Sequence, residues 1–218
     1  MFSEDDDLVI LDSGQTHQER ADAAANRMLI LKTAESLFAQ EGVENVSMAD
    51  IAQAAGVGKG TLYRRFANKG ALCLALMDTQ MRDFQNMILA ALGEMAANNV
   101  ACMEQLAFFL DRLVHFTYAH SPLLCEVQRA GLVDGVDDVV LQRPHFWQYM
   151  TVFGLLKTAI AKGEIAAHLD LEYLADALLA PLKVDLFRYQ LTVRGFTLER
   201  ISTGLRQLLE GLAAIPKQ

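Results

Sequence analysis

Four cations, Lys59, Arg64, Arg65 and Lys69, fall in the stretch Val46 to Leu72, which holds one acid, Asp50. Four positive charges against one negative leave a local balance of +3 in a chain of 218 residues whose formal net charge is −8. Guanidinium and ammonium groups can donate to phosphate oxygens and to base edges, and affinity for a polyanion follows the charge presented to it, not the total. The second half of the stretch crowds Lys59, Tyr63, Arg64 and Arg65 into one or two helical turns. Grouped cations beside a glycine turn point to recognition of double-stranded DNA.

The surrounding residues supply the means of holding that face. Ser47 suits the N-cap of a short helix, and Asp50 three residues on completes a variant capping box. Ile51, Ala52 and Ala55 form the apolar side of this helix, Gly56 supplies the turn and Val57 fills the angle. The next helix runs from about Gly58 to Phe66. At 100° per residue Leu62 and Phe66 point inward, Gly60 and Arg64 point outward, and Thr61 and Tyr63 flank them. An exposed glycine inside a helix costs about 1 kcal/mol against alanine, a cost that close approach to a groove would justify. Asn68 caps a further helix with Lys69 in its first turn. The lysine opposes the helix dipole there unless a phosphate lies against that end. Before the pair, Ile30, Ala34, Leu37 and Phe38 give a helical stripe within Ala21 to Gln40, which Gly42 can end. Two short helices joined by a turn, with the second aimed at a major groove, is a helix-turn-helix.

The segment from Ile30 to Leu72, ILKTAESLFAQEGVENVSMADIAQAAGVGKGTLYRRFANKGAL, resembles the DNA-binding domain of the tetracycline-repressor (TetR) family of regulators. GVGKGTLYRRF followed by NK and an apolar residue is the specific part. The resemblance implies that Lys59 and Gly60 meet base edges, with Thr61 and Arg64 as further readers. It implies that Tyr63, Lys69 and the capped helix start at Ser47 hold phosphate, while Arg65 serves phosphate or packing. Two positions depart from the family pattern. Gly58 stands where a hydroxyl is common, and Gly70, where a helix former is usual, is expected to loosen the start of the fourth helix.

Beyond Leu72 helical periodicity continues and no convincing strand alternation occurs, so the fold class is all-α. The expected organisation is an acidic flexible tail over residues 1–20, a three-helix DNA-binding domain over 21–69 and a larger ligand-binding and dimerisation domain over 70–218. The tail follows from six acids and no lysine or arginine in residues 1–19. In the larger domain a new element is expected at His120–Ser121–Pro122, a helix opening at Pro144, and a kink at Pro181. Met103, Phe109, Arg112, His115 and Phe116 on one helix, with Trp147, Met150 and Phe153 on another, are the candidate lining of a pocket for a small-molecule effector. The leucine-rich final helices exceed what one small domain easily covers, and the family resemblance implies a homodimer through them. Leu178, Leu182, Leu186, Leu205 and Leu209 are the candidate contacts.

Several classes are disfavoured. No apolar run spans a membrane, and the acidic N-terminus is unlike a signal peptide, which predicts a cytoplasmic protein. Cys73, Cys102 and Cys125 have no metal or redox spacing and read as buried thiols. The histidines show no ligand spacing, no cofactor is implied, and no glycine-rich phosphate loop or nucleophile–base pair argues for an enzyme. The expectation is a ligand-responsive regulator, a repressor that binds a pseudo-palindromic operator as a homodimer and is released by a small molecule. The alternative is a DNA-binding activator or architectural protein without an effector.

Overall fold

A computed structural model describes residues 13–132 and 139–212. The chain divides into two compact units, Met1–Ala67 and Asn68–Gln218. The described residues are mostly helical, with no strand among them.

In the first unit α1 (Ser13–Glu41), α2 (Met48–Ala54) and α3 (Lys59–Arg65) enclose Ile30, Ala34, Phe38, Val46, Ile51, Leu62 and Phe66. The α1 helix begins at Ser13, ahead of the expected Ala21, and the residues before Ser13 lie outside the described residues. Gln, Glu, Arg and Ala from Ser13 to Ala21 are good helix formers, so propensity continues a helix where no apolar stripe marks it. The turn from α2 to α3 depends on Gly56, whose φ of +65° disfavours any side chain.

The second unit is built on α5 (Cys102–Arg129), which packs against α4 (Lys69–Ala97), α6 (Val139–Ala161), α8 (Val184–Thr192) and α9 (Leu198–Leu212). Leu106, Phe109, Leu110, Leu113 and Val114 bury its inner face. The α5 helix runs through Pro122, where a new element was expected. Proline withholds the N–H that the Tyr118 carbonyl needs, and the Ser121 hydroxyl donates to that carbonyl at 3.0 Å instead. The α6 helix starts at Val139, so that Pro144 is its sixth residue and not its opening one. Pro181 does more than kink its helix: α7 (Leu171–Leu179) gives way to a 3₁₀ turn, Ala180–Leu182, before α8. Gln190 Nε2 donates to the Pro181 carbonyl at 2.9 Å across the break.

Candidate functional site

The α2–α3 pair is assembled as its residues require. The Asp50 N–H donates to Ser47 Oγ at 3.2 Å and the Ser47 N–H donates to Asp50 Oδ2 at 2.8 Å, closing the capping box. Ser47 Oγ also donates to Asp50 Oδ2 at 2.6 Å. These bonds from the Ser47 hydroxyl and N–H hold the Asp50 carboxyl below its ordinary value. Ser47 thus caps the start of α2 through Asp50, as their spacing predicts.

On α3, Leu62 and Phe66 are buried while Lys59, Gly60, Tyr63, Arg64 and Arg65 are exposed and Thr61 is half-buried. Arg65 therefore faces solvent, which leaves phosphate and not packing as its possible use. Arg64 Nη2 donates to Thr61 Oγ1 at 3.2 Å, holding the guanidinium along the outer face. A Cβ built on Gly60 meets no atom within 4 Å. No packing inside the chain therefore requires glycine there. Gly58, the N-cap of α3, makes no side-chain cap, as its missing hydroxyl dictates. Lys69 opens α4 in the second unit, behind Asn68, whose Oδ1 accepts the Ala71 N–H at 2.8 Å.

The residues expected to line a pocket separate into two groups. Phe109, Phe116 and Trp147 come together with Phe84 of α4. Phe84 stacks on Phe116 with centroids 4.4 Å apart, and Trp147 stands edge-on to Phe84 and Phe109 at 6.2 and 5.6 Å. His120 stacks on Phe116 at 4.1 Å and shares a hydrogen bond of 2.7 Å between its Nδ1 and the Phe116 carbonyl. Its i, i+4 spacing from Phe116 was a signal available in the sequence. Met103 packs partly buried against the same core.

Arg112 and His115 do not join the aromatics, which corrects their assignment. Both are exposed, Arg112 over the Phe108 ring and His115 with Nε2 3.9 Å from Asp111 Oδ1. Leu113 and Val114 take the inner face of α5, so these neighbours turn outward. His115 instead borders an open polar cleft with Asp111, Glu199, Ser202 and Arg206, in which the Ser202 hydroxyl donates to the Asp111 carboxylate. Met150 is exposed, and Phe153 stacks on Tyr149 at 5.9 Å on another flank of α6. Burial pushes the Cys73 thiol up to about 12, which keeps it protonated; Cys102 is buried and Cys125 is partly so.

The leucines expected to form an intermolecular seam are mostly core. Leu178, Leu182, Leu205 and Leu209 are buried inside the unit, and only Leu186 is exposed. The α9 helix turns Ile201, Leu205 and Leu209 inward at i, i+4 and i+8, while Leu208 is 57% exposed. Gly204 and Gly211 stand three or four residues from Leu208, on its side of the helix, and a Cβ on either meets open space. Tyr189 and Val193 extend the exposed apolar surface of α8 beside Leu186. Leu208 and Gly204 also border an open cleft of about 670 Å³ with Pro181, Gln190 and Phe196.

Residues 30–76 match the family model described as bacterial regulatory proteins, tetR family. An HTH-type transcriptional regulator of Staphylococcus aureus is 37% identical over 105 residues, which cover 48% of this chain and 55% of that one, so the match spans about half of the relative's length. Among solved structures, the transcriptional regulator FadR from Bacillus subtilis in complex with stearoyl-CoA is similar at a TM-score of 0.60 and 20% identity, covering 84% of this chain and 96% of its own. The regulatory protein TetR from Rhodobacter sphaeroides is similar at a TM-score of 0.59 and 20% identity, covering 86% and 98%.

Proposed function

We propose that this chain, residues 30–76 of which match the tetR family model, is a ligand-responsive repressor that binds a pseudo-palindromic operator as a homodimer and is released by a small molecule. The observation that carries DNA reading is the outer face of α3. Gly60 is exposed with open space above it and Arg64 stands one turn later, an arrangement that no internal contact requires and that a groove would. Lys59 and Gly60 meet base edges, with Arg64 and Thr61 beside them. Tyr63, Arg65 and Lys69 take phosphates and set register. Two such readers engage half-sites about 34–36 Å apart.

The second copy docks on α8 and α9 through Leu186, Tyr189, Val193 and Leu208. Gly204 and Gly211 let the helices approach closely. The effector enters the aromatic cluster of Phe84, Phe109, Phe116 and Trp147, with His120 as the polar member. An apolar ligand suits that lining, and the stearoyl-CoA bound to the Bacillus subtilis neighbour is consistent with it. Effector binding shifts the population toward a conformation whose readers are wrongly separated, by no more than its differential affinity for the two states.

The test is selection of duplexes from a random pool by the full chain, then titration of the selected duplex at increasing salt. Specific retention of a two-half-site sequence is expected, with affinity falling on the order of 10³-fold between about 50 and 200 mM salt. Equal affinity for selected and random duplexes would remove the operator reading. Trp147 is the one tryptophan of the chain, so effector candidates that release DNA should also change its fluorescence. Release without that change would move the effector site elsewhere.

A further inference from the structure

Gly70 is the second residue of α4, and it is buried against the end of α5. A Cβ built there would lie 2.4 Å from the Ala130 Cβ and 3.0 Å from the Glu126 carbonyl oxygen. The expectation that this glycine loosens α4 is therefore corrected: it lets two helix backbones meet at a distance no side chain allows. Neither neighbour can swing aside. Ala130 has no side-chain torsion that moves its methyl, and as C-cap of α5 its N–H donates to the Glu126 carbonyl at 3.1 Å. The turn is closed further by the Leu132 N–H, which donates to the Val127 carbonyl at 3.2 Å. Gln128 Nε2 donates to Asp185 Oδ1 at 2.8 Å, bracing the same turn against the start of α8. The contact also sets the positive end of one helix dipole against the negative end of another.

We propose that this glycine–alanine seat fixes the separation at which the two readers engage DNA, making Gly70 and Ala130 positioning residues for half-site spacing and not for base identity. The inference rests on the two-reader reading above. The first unit ends at Ala67 and α4 follows directly along the chain, so the first turn of α4 is the point from which the reader is carried. That turn cannot pivot without moving Gly70 against Ala130. A methyl added at position 70 must displace the seat by about 1 Å or more to reach ordinary carbon–carbon contact.

The experiment takes duplexes selected by the wild-type chain, lengthens and shortens the spacing between their half-sites base pair by base pair, and measures affinity across the series. Thermal unfolding is recorded alongside. Gly70→Ala is expected to lose affinity at the wild-type spacing and to move the optimum, while base preferences within each half-site stay as they were. The double variant Gly70→Ala with Ala130→Gly removes one of the two opposed methyls and should return the optimum toward wild type. Should Gly70→Ala not fold, Ala130→Gly alone carries the test, because freeing the seat should flatten the spacing profile. A folded Gly70→Ala or Ala130→Gly chain with the wild-type profile overturns the inference while leaving DNA binding intact. A wild-type chain that selects no two-half-site duplex overturns the two-reader reading and this inference with it.

Discussion

At the scale of residues, the proposed function divides the outer face of α3 into groups that read and groups that hold. It puts Arg64 in the first, where the bond to Thr61 holds the guanidinium along the outer face. Arg64→Ala should therefore narrow the gap between specific and random duplexes, by about 1–3 kcal/mol if its contact is bidentate. Tyr63→Phe or Lys69→Ala should weaken both kinds of duplex alike, since phosphate contacts carry no sequence. Competition binding separates the two, and equal losses in both classes of variant would dissolve the distinction. Ser47 and Asp50 lie outside this division. The folded pKa of Asp50 is lowered by Ser47, so its contribution to stability is present above the ordinary value of 3.8 and is lost as pH falls through the folded value. Ser47→Ala should lower the melting temperature at neutral pH, and the difference from wild type should shrink at about pH 3. A difference independent of pH would place the cap's effect elsewhere. The capping box was legible from spacing alone, because its bonds join residues only three apart.

Helices in the second unit are tied by contacts between distant parts of the chain. The N-cap of α5, Ala101, has no side chain able to cap, and Glu164 supplies the missing acceptor from beyond α6. Its two carboxylate oxygens accept the N–H groups of Cys102 and Met103, each at 2.9 Å. Glu164→Ala should cost about 1–2 kcal/mol and lower the melting temperature by about 2–8 °C. An unchanged melting curve would mean that water caps α5 equally well. Proline behaves by the same logic of local supply. Sequence rules mark Pro122 and Pro181 as breaks, yet only Pro181 ends its helix. The difference lies in whether a neighbour can serve the orphaned carbonyl, as Ser121 does for Tyr118. Spacing in the sequence permits such a bond but does not show that it forms.

For the whole molecule, the question is which apolar residues a chain keeps and which it leaves for a partner. Leu205 and Leu208 have the same composition and nearly the same place on α9, but one is 3% exposed and the other 57%. Leu186→Glu together with Leu208→Glu should give folded monomers by light scattering. Leu205→Glu should instead unfold the second unit, since it buries a charge in a core without a partner. A dimer that survives the first pair would move the interface off α8 and α9. No helix among the described residues is long and apolar enough to cross a membrane.

The sequence by itself determined that the chain is helical, that Ser47 to Phe66 forms two short helices about a glycine turn, and that Gly60 and Arg64 face outward. Each follows from periodicity, caps and turn chemistry acting over a few residues. Tertiary structure decided the rest. It gathered Phe84 and His120 with Phe109, Phe116 and Trp147, expelled Arg112 and His115, and turned Leu205 and Leu209 of α9 into core while leaving Leu208 exposed. It also gave Gly70 a role opposite to the one its helix propensity implies. Propensity describes a helix alone, whereas a backbone pressed against a neighbouring helix end can have room for a glycine and nothing larger.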